Sequence, residues 1–112
     1  MLKQSASPSR RFTSRVKTPP SGVWVDWRSA GREDISRVRN MSLGGLFLET
    51  PTPRNLGSEV NLDFLVEEGQ IRADAVVMRV EPGDGLALKF TGVIDEDRSR
   101  LATLMNRLRQ SS

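Results

Sequence analysis

Two small groups of residues in this chain have the types and spacing for ligand chemistry. Arg11 and Arg15 stand four apart, with Arg10 directly before them. A guanidinium is a planar, permanently charged fork of donors that suits phosphate oxygens and the O6/N7 edge of guanine, and its face stacks on bases. Further along, Asn40, Ser42 and Gly45 form N-x-S-x-x-G. Asn40 offers both a donor and an acceptor to a base edge, and Ser42 a short hydroxyl that does both. Gly45 lets another group approach the backbone, or permits a positive φ. Each group also has a plain reading. Spaced arginines occur by chance, as Arg28 and Arg32 show, and Asn, Ser and Gly are ordinary turn residues.

The other residue types narrow the chemistry. The chain has no histidine and no cysteine, which removes Ser-His-Asp and Cys-His triads, thiolate metal sites and disulfides. Asp26, Asp34, Asp63 and Asp74 show no metal-binding spacing, so neither a metal nor a catalytic residue is expected and the chain does not read as an enzyme.

Charge is unevenly placed. Residues 1–20 hold Lys3, Arg10, Arg11, Arg15 and Lys17 with no acid, so they carry +5; the remaining 12 bases against 14 acids leave about −2, and the sum is the net +3. A basic arm beside a near-neutral body fits a local anion catcher at least as well as a nucleic-acid binder, which spreads its charge over a folded face. No apolar run approaches the roughly 18 residues of a membrane span, and residues 1–20 lack the apolar stretch of a secretory signal. Membrane insertion is not expected, and the cysteine-free composition suits a reducing cytoplasm.

The 112 residues suit one small domain. Residues 1–20 read as a flexible arm ending at Pro19-Pro20, and residues 21–110 as the folded body. Alternation marks six strands: Val23 to Trp27, Ile35 to Met41, Leu46 to Glu49, Val60 to Val66, Ile71 to Val80 and Leu86 to Phe90. Trp24 and Trp27 fall on opposite faces, so one belongs to the core. In the fifth strand the apolar parity changes from Ala73/Ala75 to Val76/Met78/Val80, which a β-bulge would explain. Leu101, Leu104, Met105 and Leu108 make one helical stripe, with Asp95 at the N-cap and Glu96 and Asp97 in the first turn. The expected fold is mainly β: a six-stranded antiparallel barrel with an N-terminal arm and a C-terminal helix.

In order and context, R-x-x-x-R at Arg11/Arg15, a strand, N-x-S-x-x-G at Asn40/Ser42/Gly45, more strands and a terminal helix resemble the PilZ domain over roughly residues 10–110. Leu46-Phe47-Leu48, Gly85 to Phe90 and Asp95 to Arg98 echo it more softly. The resemblance implies a barrel that binds the bacterial second messenger cyclic di-GMP. Arg11 and Arg15 would hold phosphates and guanine, Asn40 and Ser42 would read guanine edges, and Gly45 would keep the approach clear. Arg10 would stack on a further guanine of an intercalated ligand dimer, or point to solvent. Binding would order the arm and change a surface for a downstream protein of a motility, polysaccharide or transcription system. The competing readings are a ligand-independent adaptor and a small basic-arm nucleic-acid binder.

Overall fold

A computed structural model describes residues 15–19 and 22–111. Arg10, Arg11 and Pro20 of the sequence reading therefore lie outside the described residues. The strands are β1 (Val16–Lys17), β2 (Val23–Ser29), β3 (Arg32–Ser42), β4 (Gly45–Glu49), β5 (Glu59–Leu65), β6 (Ile71–Glu81) and β7 (Gly85–Val93), followed by helix α1 (Asp95–Ser111). All pairings are antiparallel. β2 through β7 close on themselves in the order β3-β2-β5-β6-β7-β4, with β4 returning to β3, and β1 lies outside on β3. The six-stranded barrel expected from alternation is present, with one additional short strand.

Side-chain alternation explains which face is inside. Val23, Val25 and Trp27 of β2 are buried in the barrel, whereas Trp24 is 45% exposed. The Trp27 indole N–H is satisfied by Ser36 Oγ at 2.9 Å, which removes the penalty of burying it. Leu101, Leu104, Met105 and Leu108 of α1 join the same continuous core, so the helix closes an open end of the barrel. Asp97 anchors it there: its buried carboxylate accepts from the Arg72 backbone N–H at 2.9 Å and pairs with Arg72 and Arg100. The first helical backbone bond runs from Arg98 N to Ile94 O, so Ile94, not Asp95, holds the N-cap. Asp95 instead projects into solvent within the first turn, where its charge still suits the helix dipole.

Three register shifts interrupt the described sheet, and two of them matter for the outer face. In β3 the register shifts between Val38 and Asn40, so Arg39 and Asn40 both turn outward between the buried Val38 and Met41. In β6 a shift between Val77 and Arg79 leaves Met78 and Arg79 both exposed after the buried Val77. A bulge in this strand is thus present, but the parity of Ala73 and Ala75 holds through the buried Val77 and breaks only after it, leaving Met78 56% exposed.

Candidate functional site on the outer barrel face

Register places one row of side chains on the outside of the sheet: Lys17 opposite Asn40, Asn40 opposite Phe47, Phe47 opposite Ala87, and Ala87 opposite Arg79. Leu46, Leu48, Leu86 and Leu88 belong to the core, so Phe47 and Ala87 between them face outward. Both are nonetheless buried, and they form an apolar floor between polar ends. The Phe47 ring lies against Gly85, where an added Cβ would come within 2.6 Å of it. With strands about 4.8 Å apart, Asn40 and Arg79 stand about 14 Å apart along the sheet. That is the scale of a dinucleotide, larger than an inorganic anion.

Arg15 meets this row. Its Nη1 donates to Asn40 Oδ1 at 3.0 Å, so the last residue of R-x-x-x-R touches the first residue of N-x-S-x-x-G. The contact is set by β1, whose Val16 and Lys17 pair with Met41 and Asn40. Thr18 fixes the segment further, with its N–H donating to Arg39 O at 3.1 Å and its hydroxyl to Val38 O at 2.6 Å. Residues 15–19 of the basic arm therefore lie along the barrel. Loss of solvent around its guanidinium, reinforced by the nearby Arg79 charge, lowers the Arg15 pKa, yet a guanidinium remains protonated at any physiological pH.

Ser42 and Gly45 pair with each other across the β3–β4 turn. Ser42 is buried, and its Oγ accepts from Gly44 N at 3.1 Å, which leaves the hydroxyl proton able to donate elsewhere. Gly45 is required by a close backbone approach: a Cβ there would run into the Leu88 carbonyl of β7. The approaching group is thus a neighbouring strand, and Gly45 is not among the positive-φ residues.

Arg39 sits beside this row but is fully engaged. Its Nε donates to Glu49 at 2.9 Å, and Nη1 and Nη2 to the two oxygens of Asp84 at 3.1 and 2.8 Å, while its guanidinium covers the Phe47 ring at 4.6 Å. These bonds hold the Glu49 and Asp84 carboxyls below their ordinary pKa and raise that of Arg39. Arg39 therefore braces the floor. Sequence reasoning missed Arg39 and Arg79, because which residue a bulge turns outward depends on register. The three-residue spacing of Val38 and Met41 was the available signal in β3.

Among the described residues no group of three His, Cys, Asp or Glu side chains could hold a metal ion, and no helix is long and apolar enough to cross a membrane. Fold and face together define a small closed barrel whose outer row has polar ends, an apolar floor and a basic segment beside it.

The particular kind of barrel is shown by comparison. A family model for the PilZ domain matches residues 9–107, and the chain belongs to that family. The PilZ domain with c-di-GMP of YcgR from Escherichia coli superimposes with a TM-score of 0.72 at 20% identity, covering 91% of this chain and 93% of that one. The K. pneumonia MrkH–c-di-GMP complex gives a TM-score of 0.73 at 20% identity, covering 90% of this chain and 52% of that one. The PilZ domain of CeSA from a cellulose-synthesizing bacterium gives 0.67 at 17% identity, covering 87% and 99%. These likenesses show the shared fold, and the chain spans about half the length of MrkH. No curated protein matches the chain in sequence.

Proposed function

We propose that this protein binds cyclic di-GMP on the outer barrel face and relays its presence to another protein. The observation that carries the reading is the Arg15–Asn40 hydrogen bond, which brings the two motifs together from elements 25 residues apart. A cyclic dinucleotide is a planar-based dianion and needs both cationic forks and base-edge partners. Arg15 and Arg11 supply the forks, Asn40 and Ser42 the edge partners, and Gly45 keeps β4 close enough to β7 to hold the floor flat. Arg10 takes a further guanine if two ligand molecules stack. Relatives whose structures are described as c-di-GMP complexes support the choice of ligand.

The relay follows from connectivity. Residues 10–15 lead directly into β1, which pairs with β3 and also lies against α1. Drawing Arg10 and Arg11 onto the ligand therefore changes the surface beside β1 and α1, where a downstream protein of a motility, polysaccharide or transcription system would dock. MrkH, described as a c-di-GMP-dependent transcription regulatory factor, and CeSA illustrate two such settings.

The test is a calorimetric titration of the chain with cyclic di-GMP, with GTP and single-stranded RNA as controls, followed by hydrogen exchange. Saturable binding to cyclic di-GMP alone, with slowed exchange in residues 10–15, is the expected result. Salt-sensitive binding to RNA without cyclic di-GMP binding would point instead to a nucleic-acid binder.

A further inference from the structure

The segment that carries Arg15 and the barrel meet at one residue. Val38, Asn40 and Met41 of β3 pair with β4 along one edge, so β1 and β2 share the other, with Lys17 opposite Asn40 and Val23 opposite Val38. A single β3 residue, Arg39, separates those two pairings, and it belongs to the bulge that turns Asn40 outward. Thr18 stands at this junction. Its N–H donates to Arg39 O at 3.1 Å, and its hydroxyl lies 2.6 Å from Val38 O and 3.1 Å from Arg39 O. Two successive carbonyls of the bulge thus converge on one buried side chain.

We propose that Thr18 is a positioning residue of the ligand site, whose hydroxyl seats the basic segment on the β3 bulge and so aims Arg15, beside Asn40, at the bound dinucleotide. This role rests on the cyclic di-GMP reading and belongs to a residue outside both motifs.

Three observations carry it. First, the backbone alone holds the segment weakly, because β1 is two residues long and so short a ladder is marginal without further anchors. Second, Thr18 acts on both partners of the Arg15–Asn40 bond. It follows Arg15 by three residues and bonds the carbonyls of the two residues before Asn40. The next carbonyl along, that of Pro19, accepts from Arg37 Nη2 at 3.1 Å and from Gly22 N at 2.8 Å. The chain is therefore fixed just after Thr18, and its freedom lies on the Arg15 side.

Third, valine would match threonine in shape but set a methyl group against the Val38 carbonyl, leaving a buried acceptor without this donor. The segment then lifts from the bulge, and affinity falls with the fraction of molecules in which it is seated. Ser29 supplies the control. Its Oγ donates to Glu59 O at 2.9 Å, a bond of the same kind at the opposite end of β2 from Val23 and away from the basic segment.

The test is a set of calorimetric titrations with cyclic di-GMP on the full chain and on Thr18→Val, Thr18→Ser, Ser29→Ala and Arg11→Ala/Arg15→Ala, each variant first shown by urea unfolding to be folded. Thr18→Val should weaken binding about tenfold, whereas Thr18→Ser, which keeps the hydroxyl, and Ser29→Ala should stay within about twofold of the native chain. Thr18→Val at native affinity, while Arg11→Ala/Arg15→Ala loses binding, would overturn the role of Thr18 and leave the cyclic di-GMP reading standing. Ser29→Ala as weak as Thr18→Val would reduce the effect to general stability and overturn the positioning role. Thr18→Ser as weak as Thr18→Val would overturn the part given to the hydroxyl. Absence of binding by the native chain would overturn the ligand reading, and this role with it.

Discussion

Arg15 Nη1 and Asn40 Oδ1 lie 3.0 Å apart, which joins the segment before β1 to the outward bulge of β3. Asn40 presents one acceptor oxygen to that contact, where a carboxylate would present two. Asn40→Asp should convert the hydrogen bond into an ion pair and add an acceptor for guanine N1–H and N2–H. Cyclic di-GMP affinity should rise several-fold, to about tenfold at most. A titration showing weaker binding by Asn40→Asp would mean that the side chain does not read the base edge.

Ser42 and Gly45 separate turn chemistry from ligand chemistry. Gly45→Ala would push a methyl group into the Leu88 carbonyl and part β4 from β7, costing about 1–3 kcal/mol in urea unfolding. Among the described residues Ser42→Ala loses one bond, the part-buried one from Gly44 N in an exposed turn, and should cost about 1 kcal/mol. If Ser42 serves the ligand, the same variant should bind cyclic di-GMP about tenfold more weakly. Native affinity in Ser42→Ala would reduce this residue to a turn former.

Acid should loosen the fold through identifiable carboxylates. Glu49 and Asp84 are held below their ordinary pKa by hydrogen bonds from Arg39, Glu68 by Arg107, and Asp97 by the Arg72 backbone N–H. A carboxyl whose folded pKa is depressed contributes stability that is complete above its unfolded value and is lost as pH falls through the folded one. With ordinary values of 4.5 for Glu and 3.8 for Asp, stability should be level near neutrality and decline below about pH 4.5. Glu33 acts in the opposite sense, because the neighbouring Asp26 carboxyl raises its pKa. Asp97→Asn should flatten the acid limb of a pH–stability curve measured by urea unfolding. An unchanged slope would remove Asp97 as the helix anchor.

Most of the barrel was legible because its strands alternate. Val60, Leu62 and Phe64 point inward as their spacing requires, and the stripe from Leu101 to Leu108 packs as a helix face should. What alternation could not supply came from register. β1 is two residues long and exists only because β3 is there to pair with. The choice between Val77 and Met78 as the inward residue depends on where the β6 bulge falls, and so does the outward turn of Arg79. At the helix start, a carboxylate in the right place for an N-cap lost that position to a backbone carbonyl one residue earlier, Ile94. Of the candidate site, Arg15, Asn40, Ser42 and Gly45 were readable from type and spacing. Arg39 and the Phe47–Ala87 floor were not, because only the closed sheet brings β3, β4 and β7 side by side.

Whether the two separated motifs form one cyclic di-GMP site is tested by isothermal titration of the native chain against an Arg11→Ala/Arg15→Ala variant. Each charged hydrogen bond lost is worth about 1.5–3 kcal/mol, so affinity should fall by about a hundredfold or more. Equal binding by the two proteins, or no binding of cyclic di-GMP by the native chain, would mean that the two motifs do not form this site.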